Sequence, residues 1–135
     1  MLLATMPPTR TTAAAFSGTW RITETELWDT DALDMMQPAF IRFDDEMVGS
    51  FGMIVISAEI DCRFGVRDGK PLVEFTFSGD DDGHPCTGRG WGVIDADGKL
   101  RGRIYIHLGD DSEFVASRSA ASVRSTRRPA RLRRR

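Results

Sequence analysis

The chain has 135 residues, of which 41% are hydrophobic and 28% charged, as expected of one globular domain with its own core. No apolar run approaches the roughly 20 residues of a membrane-spanning helix, which excludes an integral membrane protein of that kind. The start, MLLATMPPTR, lacks the basic and apolar regions of a secretory signal. We therefore expect a cytoplasmic protein in which Cys62 and Cys86 are free thiols.

The net charge of −2 conceals an uneven distribution of charge. Residues 16–118 contain all 20 acidic residues but only 10 of the 18 Lys and Arg residues, so this segment carries a charge of −10. We expect it to be the folded body, between a disordered leader at 1–15 and a disordered arginine-rich tail at 119–135. The tail could bind nucleic acid or anionic lipid non-specifically, lie against the acidic body, or be an incidental extension of the reading frame. Nucleic-acid binding is expected only through this tail.

Within the body, runs rich in β-branched and aromatic residues alternate with turn signals such as Asp-Gly at 68–69 and 97–98. The first run is followed by LWDTDALDMM, residues 27–36, where an Asp or Thr could cap one short helix. Consecutive hairpins imply an antiparallel meander, and closing the meander into a barrel removes both sheet edges. We predict an all-β fold, an eight-stranded antiparallel meander closed into a small β-barrel, with strands at 18–26, 38–44, 47–56, 58–66, 71–78, 88–95, 99–107 and 112–118.

Alternation of apolar and polar residues assigns the inward faces of three predicted strands. The opposite, polar rows are expected to be solvated strand faces, including the row of Arg101, Arg103, Tyr105 and His107. The residues predicted to face inward are Ala58, Ile60, Cys62, Phe64, Val73, Phe75, Phe77, Leu100, Gly102, Ile104 and Ile106.

The first strand breaks this alternation, because Glu24 and Glu26 share the row of the apolar residues before them. If both face inward, burial raises the pKa of at least one carboxyl or requires an arginine, for which Arg42 is best placed by parity. Alternatively, a β-bulge near Thr23 turns both carboxylates outward, or they lie at a hydrated barrel mouth. Both alternatives avoid a desolvation cost of several kcal/mol.

Other chemical motifs have little support in the sequence. His84 and Cys86 lie in an acidic loop, but no second pair has zinc-ligand spacing. GDDDG at 79–83 lacks the spacing of an EF-hand calcium loop. No Gly-x-Ser-x-Gly motif occurs, and the glycine-rich segment 88–92 lies within a strand, unlike a phosphate-binding loop. We therefore predict no metal, no cofactor and no catalytic residue.

SGTW at 17–20 resembles the Gly-x-Trp signature of the calycin superfamily, which includes lipocalins, fatty-acid-binding proteins and avidins. The resemblance covers about 16–118 and implies a calycin-like barrel in which Trp20, following Gly18, lies at the closed end beneath Arg118 from the last strand. The chain is also similar to a group of short bacterial proteins with Trp-Arg-Ile-x-Glu and Leu-Trp-Asp near the start and Gly-Arg-Gly-Trp later. No activity is assigned to that group.

These features favour a barrel that binds a small, partly apolar molecule near its open end. The alternative is a non-catalytic interaction or structural module whose filled barrel presents an acidic surface. It predicts Glu24 and Glu26 at the surface, no internal cavity and a protein or basic partner. An enzyme using the two glutamates as acid and base ranks third, so the sequence favours a protein without catalytic activity. The residues predicted to line the small-molecule site are Glu24, Glu26, Trp28, Arg42, Phe75 and Trp91.

Overall fold

The computed structural model describes residues 8–44 and 47–119, with side chains from residue 12 onward. Each strand pairs antiparallel with the next, and the last strand pairs with the first, so the predicted eight-stranded meander and its closure into a barrel are confirmed. The short helix after the first strand is also confirmed. The elements are α1 (Pro8–Phe16), β1 (Gly18–Thr25), α2 (Thr30–Leu33), β2 (Phe40–Phe43), β3 (Val48–Met53), β4 (Ile56–Arg67), β5 (Lys70–Asp81), β6 (His84–Ile94), β7 (Leu100–Ile106) and β8 (Asp111–Arg118).

Helix α1 differs from the sequence prediction, which treated residues 1–15 as a disordered leader. Pro8 begins this helix, in a position where its missing N–H costs nothing. Phe16 ends it with a fully buried ring, so tertiary packing stabilises a segment whose sequence has little helical periodicity. Residues 1–7 and 120–135, including the arginine-rich tail, lie outside the described part. No helix within the described residues is long and apolar enough to cross a membrane.

Asp-Gly pairs form two of the hairpin turns. Asp68 and Gly69 both take positive φ, as do Asp82 and Gly83, which is the geometry of two-residue type I′ turns. The predicted turn at 97–98 is longer, with Gly98 at a φ of 83°. These turns set the strand registers and hence which side chains enter the barrel.

Aromatic side chains fill the barrel interior. The Phe51 and Phe77 rings meet edge to face at 5.0 Å, and a Cβ atom at Gly90 would lie 2.5 Å from the Phe75 ring. The predicted inward faces of β4, β5 and β7 are confirmed, except that Ile106 at the end of its strand is only partly buried. The interior is therefore packed with side chains from all eight strands.

One end of the barrel is closed by α1. Phe16 packs against Phe43 at 5.5 Å, and its carbonyl accepts a 2.9 Å hydrogen bond from Trp20 Nε1. The Arg118 guanidinium lies 4.2 Å above the Trp20 ring, as the resemblance implied. Gly18 joins α1 to β1 with a φ of 109°, a conformation that favours glycine.

The opposite end is covered by the connection between β1 and β2. Leu33 of α2 is buried in the core, and its carbonyl accepts a 2.8 Å hydrogen bond from Ile54 in the β3–β4 turn. Leu27 N donates to Ser112 Oγ at the start of β8. Residues 26–39 thus lie over the end that we expected to be open.

Candidate functional site

A β-bulge in β1 decides the orientation of the two glutamates. Ile22 and Glu24 oppose consecutive residues of β8, which leaves Thr23 as the extra residue. Ile22 is buried, whereas Thr23 and Glu24 are both exposed. Glu24 and Glu26 therefore do not face inward, and of the alternatives that the sequence left open, the bulge near Thr23 is confirmed. Physically, a bulge disturbs one step of the ladder, whereas burying two carboxylates would cost several kcal/mol.

Glu26 strengthens the seam between β1 and β8 beyond the bulge. Its N–H donates to the Glu113 carbonyl, and its Oε1 accepts from the Glu113 N–H, both at 3.1 Å. Arg103 lies 3.5 Å from the same Oε1 atom and 2.8 Å from Asp111. Glu24 forms no ion pair or hydrogen bond with any described side chain. Of the two glutamates, Glu26 is thus engaged within the barrel wall and Glu24 is free to meet a partner.

Arg42 lies on the outer row of β2, so the prediction that it could enter the barrel is wrong. The inner row consists of the buried Ile41 and Phe43, which outweigh the single partly buried Phe40 on the outer row. Arg42 Nε forms a 3.0 Å ion pair with Asp44.

The three aromatic residues predicted to line a ligand site lie in three different environments. Phe75 is buried in the barrel core. Trp28 packs partly buried against the core from the β1–β2 connection, and its backbone N–H donates to Thr25 Oγ1. Trp91 lies on the outer wall beneath Arg67. The structure therefore does not bring the six predicted site residues together.

Carboxylates are concentrated at the barrel end opposite α1. We call this region the acidic end and define it as residues 24–39, 54–55, 80–84 and 107–111. Its segments are joined by hydrogen bonds, such as Ile54 N to Leu33 O at 2.8 Å and Asp82 N to Val55 O at 3.3 Å. No Lys or Arg occurs in these segments. The carboxylates are Glu24, Glu26, Asp29, Asp31, Asp34, Asp80, Asp81, Asp82, Asp110 and Asp111.

Part of this charge is used within the fold and part is free. Asp34 pairs with Arg21, and Asp29 and Asp80 accept backbone N–H groups. The remaining carboxylates without a side-chain partner in the described part are Glu24, Asp31, Asp81, Asp82 and Asp110.

The acidic end also exposes large apolar side chains. Met35 and Met36 follow α2 and are 60% and 68% exposed, and Leu108 at the tip of the β7–β8 turn is 94% exposed. Together with Leu27, they are four of the seven exposed large apolar residues in the described part. These four side chains lie at the same end of the barrel as the carboxylates. Exposed apolar residues surrounded by polar ones are a feature of protein interaction sites.

Metal and thiol chemistry lack a geometric basis in the described residues. No three His, Cys, Asp or Glu side chains among them are placed to hold a metal ion. Cys62 and Cys86 are free and buried, and burial raises the pKa of the Cys62 thiol to about 12, which suppresses the reactive thiolate.

Comparison with known proteins finds no match for this chain among family models, curated proteins or solved structures. Its function is therefore inferred from its own residues.

Proposed function

We propose that this protein is a non-catalytic interaction module that binds a basic, partly apolar segment of a partner at its acidic end. The observation that carries this proposal is the grouping of ten carboxylates and four exposed Leu and Met side chains in segments without Lys or Arg. The filled interior supports a function on the outside of the barrel.

The two kinds of side chain have different physical roles in this proposal. The carboxylates attract Lys and Arg residues and raise the association rate, an effect that salt screens. The apolar side chains supply affinity through the surface that they bury, and the flexible methionines can adapt to different partner side chains. A partner segment with apolar residues flanked by Lys and Arg satisfies both.

The small-molecule site that we expected near the open end has less support. Residues 26–39 lie over that end, and Glu24 faces outward beyond the bulge. Acid–base catalysis by the two glutamates would also need a site shielded from water, and both side chains are exposed.

Titration of the ¹⁵N-labelled protein with a synthetic peptide tests the proposal. The peptide contains Lys and Leu arranged with one apolar face, and a second peptide of identical composition has its Leu residues dispersed. We expect saturable amide shifts confined to the acidic end, tighter binding of the first peptide, and weaker binding at high salt. Equal binding of both peptides, or shifts spread over the whole barrel, would contradict the proposal.

Substitutions at the acidic end separate the two contributions. Met35→Ser with Met36→Ser is expected to weaken binding of the first peptide by about tenfold, because partly exposed apolar surface is lost from the interface. Asp82→Asn is expected to reduce the salt dependence, and Asn tolerates the positive φ at this position. Met47→Ser, a similarly exposed methionine in the β2–β3 connection at the α1 end, is the matched control and should leave affinity unchanged.

A further inference from the structure

A groove of about 320 Å³ lies on the outer wall of the barrel across β4–β7. This volume falls in the range of small-molecule sites. Its floor is the backbone of Phe75 and Gly90, since the Phe75 ring points into the core. The side chains that line it are Asp61, Arg63, Glu74, Thr76, Arg89, Trp91 and Tyr105.

Two arginines lie over aromatic rings of this groove: Arg89, which itself lines the groove, and Arg67, which lies over the lining residue Trp91. The Arg67 guanidinium lies 4.6 Å from the Trp91 ring centre, and the Arg89 guanidinium lies 4.7 Å from the Tyr105 ring centre. Trp91 and Arg89 are two positions apart on β6, so their side chains are neighbours on the outer face of the sheet. Stacking orients each guanidinium plane and leaves its N–H edge available for an acceptor.

These two arginines differ from the others that the structure describes with side chains. Arg63, Arg101 and Arg103 on the same wall form ion pairs with carboxylates at 2.8–3.1 Å. The remaining described arginines likewise pair with carboxylates or donate to backbone carbonyls. Arg67 and Arg89 alone among the described arginine side chains have a ring as partner and no oxygen acceptor.

We propose that this groove binds a small organic anion that also carries hydroxyl groups. Arg67 and Arg89 hold its phosphate or carboxylate group, because a planar guanidinium fork matches both oxyanions with paired charge-assisted hydrogen bonds. The rings of Trp91 and Tyr105 support the two guanidinium groups and give the site its apolar surface.

Polar side chains of β5, the strand between β4 and β6, account for the hydroxyl groups and the small size of the expected ligand. The side chains of Glu74 and Thr76 make no hydrogen bond within the described part of the chain, so both can accept or exchange hydrogen bonds with ligand hydroxyls. Asp61 and Glu74 place negative charge beside the cations, and residues 16–118 carry −10 overall. A polyanion such as nucleic acid is strongly repelled by these charges, whereas a compact anion with one or two charges is repelled far less.

The test is an NMR titration of the full chain with four probes: inorganic phosphate, glucose 6-phosphate, gluconate and glucose. We expect saturable shifts of the Trp91 indole signal and of β5–β6 amides with glucose 6-phosphate or gluconate, and the stronger of the two identifies the anionic group. Inorganic phosphate should bind more weakly than the hydroxylated anion. Equal shifts with glucose, or no saturable shift with any anion, would overturn the proposal.

Variants locate the site and control for general charge effects. Arg67→Gln and Arg89→Gln are each expected to weaken binding by about tenfold or more, since a charge-assisted hydrogen bond is lost. Arg101→Gln removes one positive charge from the same wall, where Arg101 is already neutralised by Asp95 and Asp97, and should leave affinity unchanged. Equal weakening in Arg101→Gln would show long-range electrostatics instead of a site. Thermal unfolding of each variant verifies that the fold is intact.

Discussion

At the scale of single residues, Arg118 connects three parts of the barrel's closed end. Its guanidinium covers the Trp20 ring and donates hydrogen bonds to the Ser17 and Ala15 carbonyls at 2.6 and 2.7 Å. Carbonyl groups at the end of a helix lack intrahelical partners, and a cation is favourable there. Arg118 therefore ties the last strand to both the first strand and α1.

Replacement of Arg118 measures this contribution. Arg118→Met retains an aliphatic stem over the indole but removes the charge and the donors, and we expect it to lower the free energy of unfolding by about 2 kcal/mol. Urea denaturation followed by tryptophan fluorescence gives this quantity. Arg63→Met, which removes an exposed ion pair with Asp61, should cost less than about 0.5 kcal/mol. Similar losses in the two variants would contradict a special role for Arg118.

At the scale of elements, glycines allow neighbouring strands and large inward rings to approach closely. Gly102 of β7 opposes Gly92 of β6, and a Cβ at Gly102 would contact the Trp91 carbonyl oxygen and lie 2.7 Å from the Gly92 Cα atom. Both neighbours are backbone atoms, which cannot rotate away as a side chain can. The β6–β7 ladder thus requires glycine at this position.

Adding one methyl group tests this requirement. Gly102→Ala should lower the free energy of unfolding by about 3 kcal/mol, because the strands must separate to admit the side chain. The matched control is Gly65→Ala in β4, where a Cβ meets nothing within 4 Å and the change should cost less than about 1 kcal/mol. Thermal and urea unfolding of both variants gives the comparison, and a Gly102→Ala protein as stable as the parent would refute the argument.

At the scale of the whole molecule, an ion-pair network joins the hairpins at the α1 end. Asp95 accepts from Lys70 at 2.6 Å and from Arg101 at 3.1 Å, and Asp97 pairs with Arg101 at 3.0 Å. The Arg101 hydrogen bond, followed by that from the Lys99 N–H, lowers the pKa of Asp97 from 3.8 to about 2. The Lys70 hydrogen bond likewise lowers the pKa of Asp95.

These shifts predict how stability changes with acid. Carboxyls that are more acidic in the folded state contribute stability above their unfolded pKa, and this contribution is lost as the pH falls through the folded pKa. For Asp97 the loss falls between pH 3.8 and about 2. Asp97→Asn should make the decline of the urea midpoint across this window shallower, whereas Asp110→Asn, without an ion pair in the described part, should not. An unchanged decline in Asp97→Asn would exclude this mechanism.

The sequence determines the barrel well, since turn chemistry and the alternation in β4, β5 and β7 each specify local geometry. Strict alternation fails at β1, where one inserted residue reverses every later side chain. The broken pattern pointed to a bulge near Thr23, but no residue type there distinguishes a bulge from inward-facing carboxylates. Alternation also left the inward face of β2 ambiguous, because Phe40 and Arg42 share a row that is neither wholly apolar nor wholly polar. Helix α1 depends on tertiary packing of Phe16, which local sequence does not contain.

The acidic end could have been found from the sequence by one further step. In an up-and-down meander, alternate connections lie at the same end of the barrel, so the β1–β2, β3–β4, β5–β6 and β7–β8 connections must meet. Taken one at a time, these segments look like ordinary acidic turns. The Arg67 and Arg89 stacks, by contrast, depend on side-chain conformations that strand alternation does not specify.

The pairing of Trp20 with Arg118 also has a kinetic consequence. Every other ladder joins strands that follow one another in sequence. Apart from β1–β2, whose connection contains α2, these are hairpins of a kind that forms within microseconds. The β1–β8 ladder must instead bring together the two ends of the body, with the larger entropy loss of a long loop. We expect it to form after the rate-limiting step, so that weakening this seam accelerates unfolding while leaving the folding rate nearly unchanged.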